Sequence, residues 1–226
     1  MAFANVQDRD SGAVAGGGTF AFLSNVTAGN LITVSAWHPS ADDFTPTDSL
    51  SNTYTLALKR NAAASWSASA GWIYIFYAYN ITGGACTITC NATGFTYLTI
   101  GEYSGSTTAD PLDITNGADG SGLTPSVTLT GCQANDLLIG AYAGGATMLL
   151  PGTGFTERRN STAVNAEASE DDIDSGAAGN PVVDMTLSSS VGWHIIAASF
   201  KLPAAGTNTS VKRLIGGGVL TSGLTA

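Results

Sequence analysis

Residues 71–81 constrain the fold of this chain more than any other stretch. They read GWIYIFYAYNI, with no acidic or basic residue, no proline and one glycine at the start. Successive side chains of a strand point to opposite faces. The two sets here are Ile73, Ile75, Tyr77 and Tyr79 on one face and Trp72, Tyr74, Phe76 and Ala78 on the other. Both faces are apolar or aromatic. The stretch therefore predicts a central strand that is covered on both sides, or covered on one side and used for contact on the other.

The rest of the chain also favours β structure. Residues 192–202, GWHIIAASFKL, predict a second central strand. Charged residues make up only 11% of the chain, and Gly, Ser, Thr, Ala and Asn fill the gaps between apolar runs. Turn signals recur along the chain, which predicts an all-β antiparallel sandwich or jelly roll of about twelve strands. Residues 10–18 and 144–154 are expected to be loops, residues 104–122 turn-rich, and residues 163–179 an exposed acidic hairpin.

The order of segments partly repeats. Residues 28–32 (AGNLI) are echoed by residues 134–138 (ANDLL), and residues 52–55 (NTYT) more loosely by residues 154–157 (GFTE). The Gly-Trp pair at Gly71 is echoed at Gly192. Two interlocked Greek keys would give such an order, although chance similarity among strands would also give it. The repeat predicts one domain over residues 1–205, with two similar halves.

Residues 206–226 differ from this body. The body holds six basic and seventeen acidic residues, whereas the tail holds Lys212 and Arg213 and no acid. The triple glycine at 216–218 prevents a stable helix. The tail is either disordered or an assembly arm that docks on its own body or a neighbour, favoured by its opposite charge. The residues expected to make the contact are Val211, Lys212, Arg213, Leu214, Ile215, Val219 and Leu220.

Net charge and the N-terminal sequence exclude several partners. The net charge of −9 and the pI near 4.3 argue against nucleic acid and against anionic membranes, since both need a basic surface. The first twenty residues include Asp8, Arg9 and Asp10 and no apolar run, so we expect no signal peptide. The protein is then expected to be made in a cytoplasm and to stay there until it is released.

No catalytic pattern stands out, and we expect the protein not to be an enzyme. His38 and His194 each lie beside a tryptophan in a predicted strand, and residues 101–105 (GEYSG) only approach the nucleophile-elbow pattern. Glu102 is the one acid within a strong strand. It is either a catalytic carboxylate, as in a sandwich hydrolase, or a structural one bonded to backbone or to a tyrosine.

Two groups of residues suggest binding rather than catalysis. Asp171, Asp172 and Asp174 offer hard oxygen ligands to calcium, although a solvated acidic hairpin is the commoner explanation of such a cluster; no other cofactor is expected. Trp37 and Trp66 could contact a glycan or a protein partner, although core packing is the commoner place for a strand tryptophan.

The three cysteines are Cys86, Cys90 and Cys132. Cys86 and Cys90 would lie ~13 Å apart along a strand and so cannot pair. One of them could bridge to Cys132, or all three could be buried free thiols.

Six short motifs resemble a β-sandwich module of bacteriophage structural proteins and bacterial surface proteins. They are SNTY (51–54), YAYNITGG (77–84), EYSG (102–105), DPLD (110–113), NDLL (135–138) and GFTER (154–158). The resemblance spans residues 19–202, and the chain departs from the module at Cys86 and Cys90. The module implies a fold but carries no shared active site.

The resemblance, taken with the expected absence of a signal peptide, implies a virion protein. A capsid decoration, tail, neck or fibre component that self-assembles or docks on other virion proteins would fit, as a homo-oligomer. The alternative is a carbohydrate-binding or adhesion module, including the receptor-binding end of a fibre. A sandwich glycan hydrolase is a third interpretation.

Overall fold

The computed structural model describes residues 2–15, 18–38, 44–61, 71–92, 94–160, 166–172 and 174–204. Within these residues every named element is a β-strand, every strand pairing is antiparallel, and no helix could cross a membrane. Strands of the first half are β1 (Ala4–Ala15), β2 (Thr19–Ala21), β3 (Leu31–His38), β4 (Thr47–Asp48), β5 (Thr55–Asn61), β6 (Trp72–Ala78), β7 (Thr87–Thr89) and β8 (Phe95–Ser104). Strands of the second half are β9 (Leu112–Gly122), β10 (Ser126–Thr128), β11 (Leu137–Gly144), β12 (Met148–Pro151), β13 (Thr156–Asn160), β14 (Ala166–Asp172), β15 (Val182–Leu187) and β16 (Val191–Phe200).

The two halves have the same strand order. The first half forms a five-stranded sheet, β1-β8-β3-β6-β5, and a three-stranded sheet, β2-β7-β4. The second half forms β9-β16-β11-β14-β13 and β10-β15-β12. Adding eight to each strand number of the first half gives the second half. The chain therefore folds as two topologically equivalent units.

Three apolar cores show how the sheets stack. The first outer core contains Val34, Phe76 and Ile88 and joins the two sheets of the first half. The second outer core contains Leu138, Met185 and Ile195 and does the same in the second half. The inner core contains residues of both five-stranded sheets: Phe3, Leu31, Trp37, Ile73, Ile75, Tyr77, Tyr103, Leu137, Ile139, Ala141, Ala143, Ile196, Ala198 and Phe200. The two five-stranded sheets thus pack face to face, each with a three-stranded sheet on its other side.

The predicted central strands are confirmed as strands with both faces covered. In β6, Tyr74 and Phe76 belong to the first outer core, whereas Ile73 and Ile75 belong to the inner core. In β16, Ile195 faces the second outer core, and the neighbouring residue Ile196 faces the inner core. An apolar residue at every position is what a strand between two cores requires.

The predictions of loops for residues 10–18, 104–122 and 144–154 were partly wrong, because β1, β9 and β12 lie there. In β9 the glycines make room for neighbouring side chains. A Cβ atom at Gly120 would lie 2.7 Å from the Trp193 ring, and one at Gly117 would lie 3.1 Å from Ile196. Glycine in a strand allows close approach of this kind, yet in sequence it is indistinguishable from a turn signal. The described residues accordingly hold sixteen strands, where about twelve were expected.

The prediction of an exposed acidic hairpin at residues 163–179 was wrong for residues 166–172. Residues 166–172 form β14, which lies between β11 and β13 in the second five-stranded sheet. The backbone of β14 pairs along its whole length with β11, from Leu138↔Asp172 to Gly144↔Ala166. Backbone pairing depends on N–H and C=O groups and not on apolar side chains, so an acidic composition does not exclude an inner strand.

Two of the three sequence echoes fall on equivalent strands. Residues 31–32 and 137–138 begin β3 and β11, and residues 55 and 156 begin β5 and β13. The third echo does not fit this relation. Trp72 lies in β6, whose equivalent is β14, whereas Trp193 lies in β16, whose equivalent is β8.

Candidate functional site

The residues first considered for catalysis lie in the interior. His38 is 0% exposed and His194 is 1% exposed. The His38 ring centroid lies 6.0 Å from that of Phe44, inside the first half. Neither imidazole is therefore placed to meet a substrate at the surface.

Trp37 is 2% exposed, so the prediction that it contacts a glycan or partner is wrong for this side chain. It belongs to the inner core, where its ring centroid lies 5.6 Å from that of Tyr97. Strand β3 is covered on both sides, so every residue along it is buried. Trp66 and the predicted assembly tail (residues 206–226) lie outside the described residues.

The proposed calcium ligands divide between a strand and the segment after it. Asp171 and Asp172 end β14, where their backbones pair with Ile139 and Leu138. Asp174 is exposed and accepts a hydrogen bond from the Gly176 backbone N–H at 2.9 Å. Calcium binding at these residues remains a prediction.

Glu102 is 0% exposed and anchors the start of β3 to β1 and β8. Its Oε1 accepts hydrogen bonds from the Thr27 backbone N–H at 2.7 Å and from Asn30 Nδ2 at 2.6 Å. Its Oε2 accepts one from Gln7 Nε2 at 2.7 Å. Three N–H donors compensate the buried carboxylate. This geometry favours the structural interpretation of Glu102 that its sequence position allowed.

A surface groove lies where the loop after β4 meets the end of β6. It has a volume of about 450 Å³ and is lined by Ser51, Asn52, Thr53, Thr55, Tyr79, Asn80 and Thr82. Tyr79 is 39% exposed, and its ring stacks on Tyr77 at a centroid distance of 6.2 Å. The groove thus combines one supported aromatic ring with several amide and hydroxyl groups, a combination that can bind a sugar.

Asp48 holds the wall of this groove in place. Its Oδ1 accepts hydrogen bonds from the backbone N–H groups of Leu50 at 2.9 Å and Asn52 at 3.0 Å. Its Oδ2 accepts bonds from Asn52 Nδ2 at 2.8 Å and the Tyr54 hydroxyl at 3.0 Å. Burial and the Asp48 charge raise the pKa of Tyr54 above its ordinary value, so this phenol stays a donor.

Two carboxylates and a thiol meet in the second half. Asp113 in β9, Cys132 and Asp136 each offer a ligand atom, and these atoms all lie within 4.8 Å of one another. Cys132 is 2% exposed and Asp136 is 1% exposed. The Cys132 Sγ donates a hydrogen bond to the Ser199 Oγ at 3.5 Å. In the part of the chain that the structure describes, this is the one such group of potential metal ligands.

Asp113 and Asp136 differ in their hydrogen bonds. Asp113 accepts bonds from the Gln133 backbone N–H at 3.1 Å and from Gln133 Nε2 at 3.2 Å. Both buried oxygens of Asp136 lack a hydrogen-bond partner. Burial, reinforced by Asp113, raises the pKa of Asp136 to about 7. Hydrogen bonds from the Gln133 backbone N–H and the Ser199 hydroxyl to Asp136 would lower its pKa. In the structure, however, the Gln133 N–H bonds Asp113, and the Ser199 hydroxyl bonds the Ile114 carbonyl.

Sequence reasoning missed this group because Asp113 lies in another strand from the segment that holds Cys132 and Asp136, and no motif joins the three. One signal was available within the repeat, where AGN in the first half becomes AND in the second, replacing an amide by an acid. All three cysteines are buried and free, so none of the possible disulfide bridges is present.

No protein-family model matches the chain, and no curated protein or solved structure matches it either. The resemblance to a module of phage and bacterial surface proteins therefore depends on the six sequence motifs alone. The structure supports its coarser implication, an all-β fold of antiparallel sheets.

Proposed function

We propose that this chain is a non-enzymatic structural protein of a bacteriophage virion, a capsid decoration, tail, neck or fibre component that self-assembles or docks on other virion proteins. Each half is proposed to be a jelly roll of eight strands. The strand orders β1-β8-β3-β6 and β2-β7-β4 support this, with β5 attached beside β6.

The observation that carries the proposal is that three exposed leucines lie near one end of β15. Leu149 and Leu150 in β12 are 60% and 59% exposed, and Leu123 is 49% exposed. All three lie around one end of β15, because the Leu187 N–H bonds the Leu123 carbonyl and Leu187 pairs with Met148. Exposed apolar side chains grouped in this way mark protein contact surfaces. Strand β12 is also an edge of its sheet within the described residues, which favours docking of another chain there.

Native mass measurements on three forms of the chain test this role. We expect the full chain to form oligomers, and the double variant Leu149→Ser, Leu150→Ser and a chain ending at residue 205 to form smaller species. The matched control is Leu23→Ser, a leucine that is 76% exposed in the first half; it should leave the assembly unchanged. A monomeric full chain, or oligomers that survive both changes, would contradict assembly through this surface and the tail.

A carbohydrate-binding module is the second candidate, and the groove beside Tyr79 favours it. A glycan array probed with the full chain and with Tyr79→Ala tests this alternative. Binding that requires Tyr79, found in a chain that stays monomeric, would replace the structural proposal. Absence of any glycan signal would leave the groove without a function of this kind.

A further inference from the structure

We propose that Asp113, Cys132 and Asp136 form a binding site for a divalent transition-metal ion of the zinc class. This inference is independent of the proposed virion role. The three ligand atoms lie within 4.8 Å of one another, a spacing that one ion can bridge.

The buried carboxylate of Asp136, which lacks a hydrogen-bond partner, points to a bound cation. The side chain is 1% exposed, yet neither of its carboxylate oxygens has a hydrogen-bond partner. A buried charged group without a partner is costly, and native structures compensate such groups by pairing or metal coordination. Two neighbouring donors bond other groups: the Gln133 N–H bonds Asp113 at 3.1 Å, and the Ser199 hydroxyl contacts the Ile114 carbonyl at 3.5 Å.

The equivalent place in the first half shows how the fold handles one carboxylate without a metal. Ile32 pairs with Glu102 in the first half, and Leu138 pairs with Ser199 in the second. Asn30 and Asp136 each directly precede the leucine that begins the next strand. In the first half, the Asn30 side-chain amide donates a hydrogen bond to the carboxylate of Glu102.

The second half exchanges these residue types. Ser199 stands at the position of Glu102, and Asp136 stands at the position of Asn30. Asp113 lies in the irregular part of β9 opposite Ser199. Val26 and Cys132 also correspond, since each forms the isolated bridge that precedes its strand. The first half thus has one acid, Glu102, bonded by two side-chain amides, whereas the second half has two acids and, at the position of Val26, a thiol. The exchange removes donors and adds negative charge, which a cation would balance.

The donor set selects the class of ion. Thiolate sulfur suits zinc and similar borderline metals, and carboxylate oxygens also bind zinc, usually with four ligands. The Ser199 Oγ lies 3.5 Å from the Cys132 Sγ, so a polar atom adjoins the three ligand atoms. Calcium takes six to eight oxygen ligands, and magnesium prefers oxygens and water, so neither fits a site that includes a buried sulfur.

A groove gives the site a route to solvent. It has a volume of about 410 Å³, and its lining includes Gln133, Asn135, Asp136, Leu202 and Pro203. Asp136 therefore borders a space through which an ion can enter, although its carboxylate is buried.

Titration of the metal-free full chain with Co²⁺ tests the proposal, because a cobalt–thiolate bond gives a charge-transfer absorption band. We expect saturation at one equivalent, loss of the band when Zn²⁺ is added, and a rise in the melting temperature with Zn²⁺. Cys132→Ser should abolish the charge-transfer band. Cys90→Ser, which removes a buried thiol of the first outer core, should leave it intact.

Asp136→Asn is the second variant, and it introduces the residue that the first half carries at Asn30. We expect it to fold and to bind the ion at least ~100-fold more weakly. Absence of a charge-transfer band at one equivalent in the wild-type chain would overturn the proposal, as would a band that persists in Cys132→Ser. If the wild-type chain is folded and shows no response to metal, Asp113 and Asp136 are instead a pair of carboxyl groups that share a proton.

Discussion

At the scale of single residues, Glu102 shows how the fold accommodates a buried charge. The carboxylate receives one backbone and two side-chain N–H bonds at 2.6–2.7 Å, and these donors come from β1 and from the turn before β3. Bonds to a charged acceptor are stronger than those between neutral groups. Glu102 therefore ties together three segments that are remote in sequence.

Glu102→Gln should lower the free energy of unfolding by about 2–3 kcal/mol, because the new amide cannot accept bonds from all three donors. Chemical denaturation measures the change. Glu157→Gln is the control, since Glu157 is exposed, and it should change stability by less than ~0.5 kcal/mol. Equal effects of the two substitutions would show that the Glu102 network does not stabilise the fold.

Sequence reasoning predicted individual residues only where local pattern decides their environment. The apolar face alternation of β6 gave the correct burial of Ile73 and Phe76, and the alternation in β16 did the same for Ile195. Trp37 was considered for surface contact because nothing local tells which face of a strand is covered. The group of Asp113, Cys132 and Asp136 depends on pairing between strands, which sequence spacing does not contain.

At the scale of strands, the elements that were missed have compositions that resemble loops. Glycine in β9 makes room for Trp193, and the acidic β14 is held by backbone pairing to β11 and β13. Composition predicted a turn-rich segment for the first and an exposed hairpin for the second, whereas their strand neighbours decide their structure. The strongly apolar strands were found with nearly correct bounds, since residues 71–81 contain β6 and residues 192–202 contain most of β16.

Ion pairs join edge strands of one half to edge strands of the other. Arg60 of β5 pairs with Asp119 of β9, and Arg159 of β13 pairs with Asp10 of β1, so equivalent pairs of strands carry one ion pair each. The side chain of Arg159 is 4% exposed, whereas that of Arg60 is 36% exposed. The guanidinium of Arg159 also lies over the Tyr97 ring, 5.3 Å from its centroid.

Arg159→Ala should therefore lower the free energy of unfolding by roughly 1–3 kcal/mol, because the buried Arg159 side chain packs on Tyr97 and its removal leaves Asp10 without this partner. Arg60→Ala, the comparison variant at the exposed pair, should cost less than ~1 kcal/mol. Denaturation at low and high salt separates the two, since added salt should weaken the contribution of the Arg60 pair more than the packing of Arg159. A larger loss at Arg60 would contradict this assignment.

At the scale of the whole molecule, the inner core makes each half depend on the other. Ile75 from the first half and Ile139 from the second are 0% and 3% exposed, and both belong to this core. Separating the halves would expose the inner faces of both five-stranded sheets. Burial of that apolar surface favours a single cooperative unit.

The free cysteines allow a direct test of this cooperativity. Cys86 and Cys90 report on the first half and Cys132 on the second, and all three are buried. In denaturant titrations read by thiol labelling and mass spectrometry, the three should become reactive at one common midpoint. Ile75→Ala should shift all three together, by about 2–5 kcal/mol. Separate midpoints for Cys86 and Cys132 would show that the halves unfold independently.

The shared inner core also has the form of a homodimer interface built into one chain. In a twofold dimer the same surface of each subunit meets its copy, so each contact occurs twice. Here the contact of β5 with β9 and that of β13 with β1 are such a pair at the level of strands, in which the two copies are covalently joined. In a true homodimer every substitution is made in both subunits. Joining the copies removes that restriction, and so one unit can keep the amides around Glu102 while the other replaces them with acids.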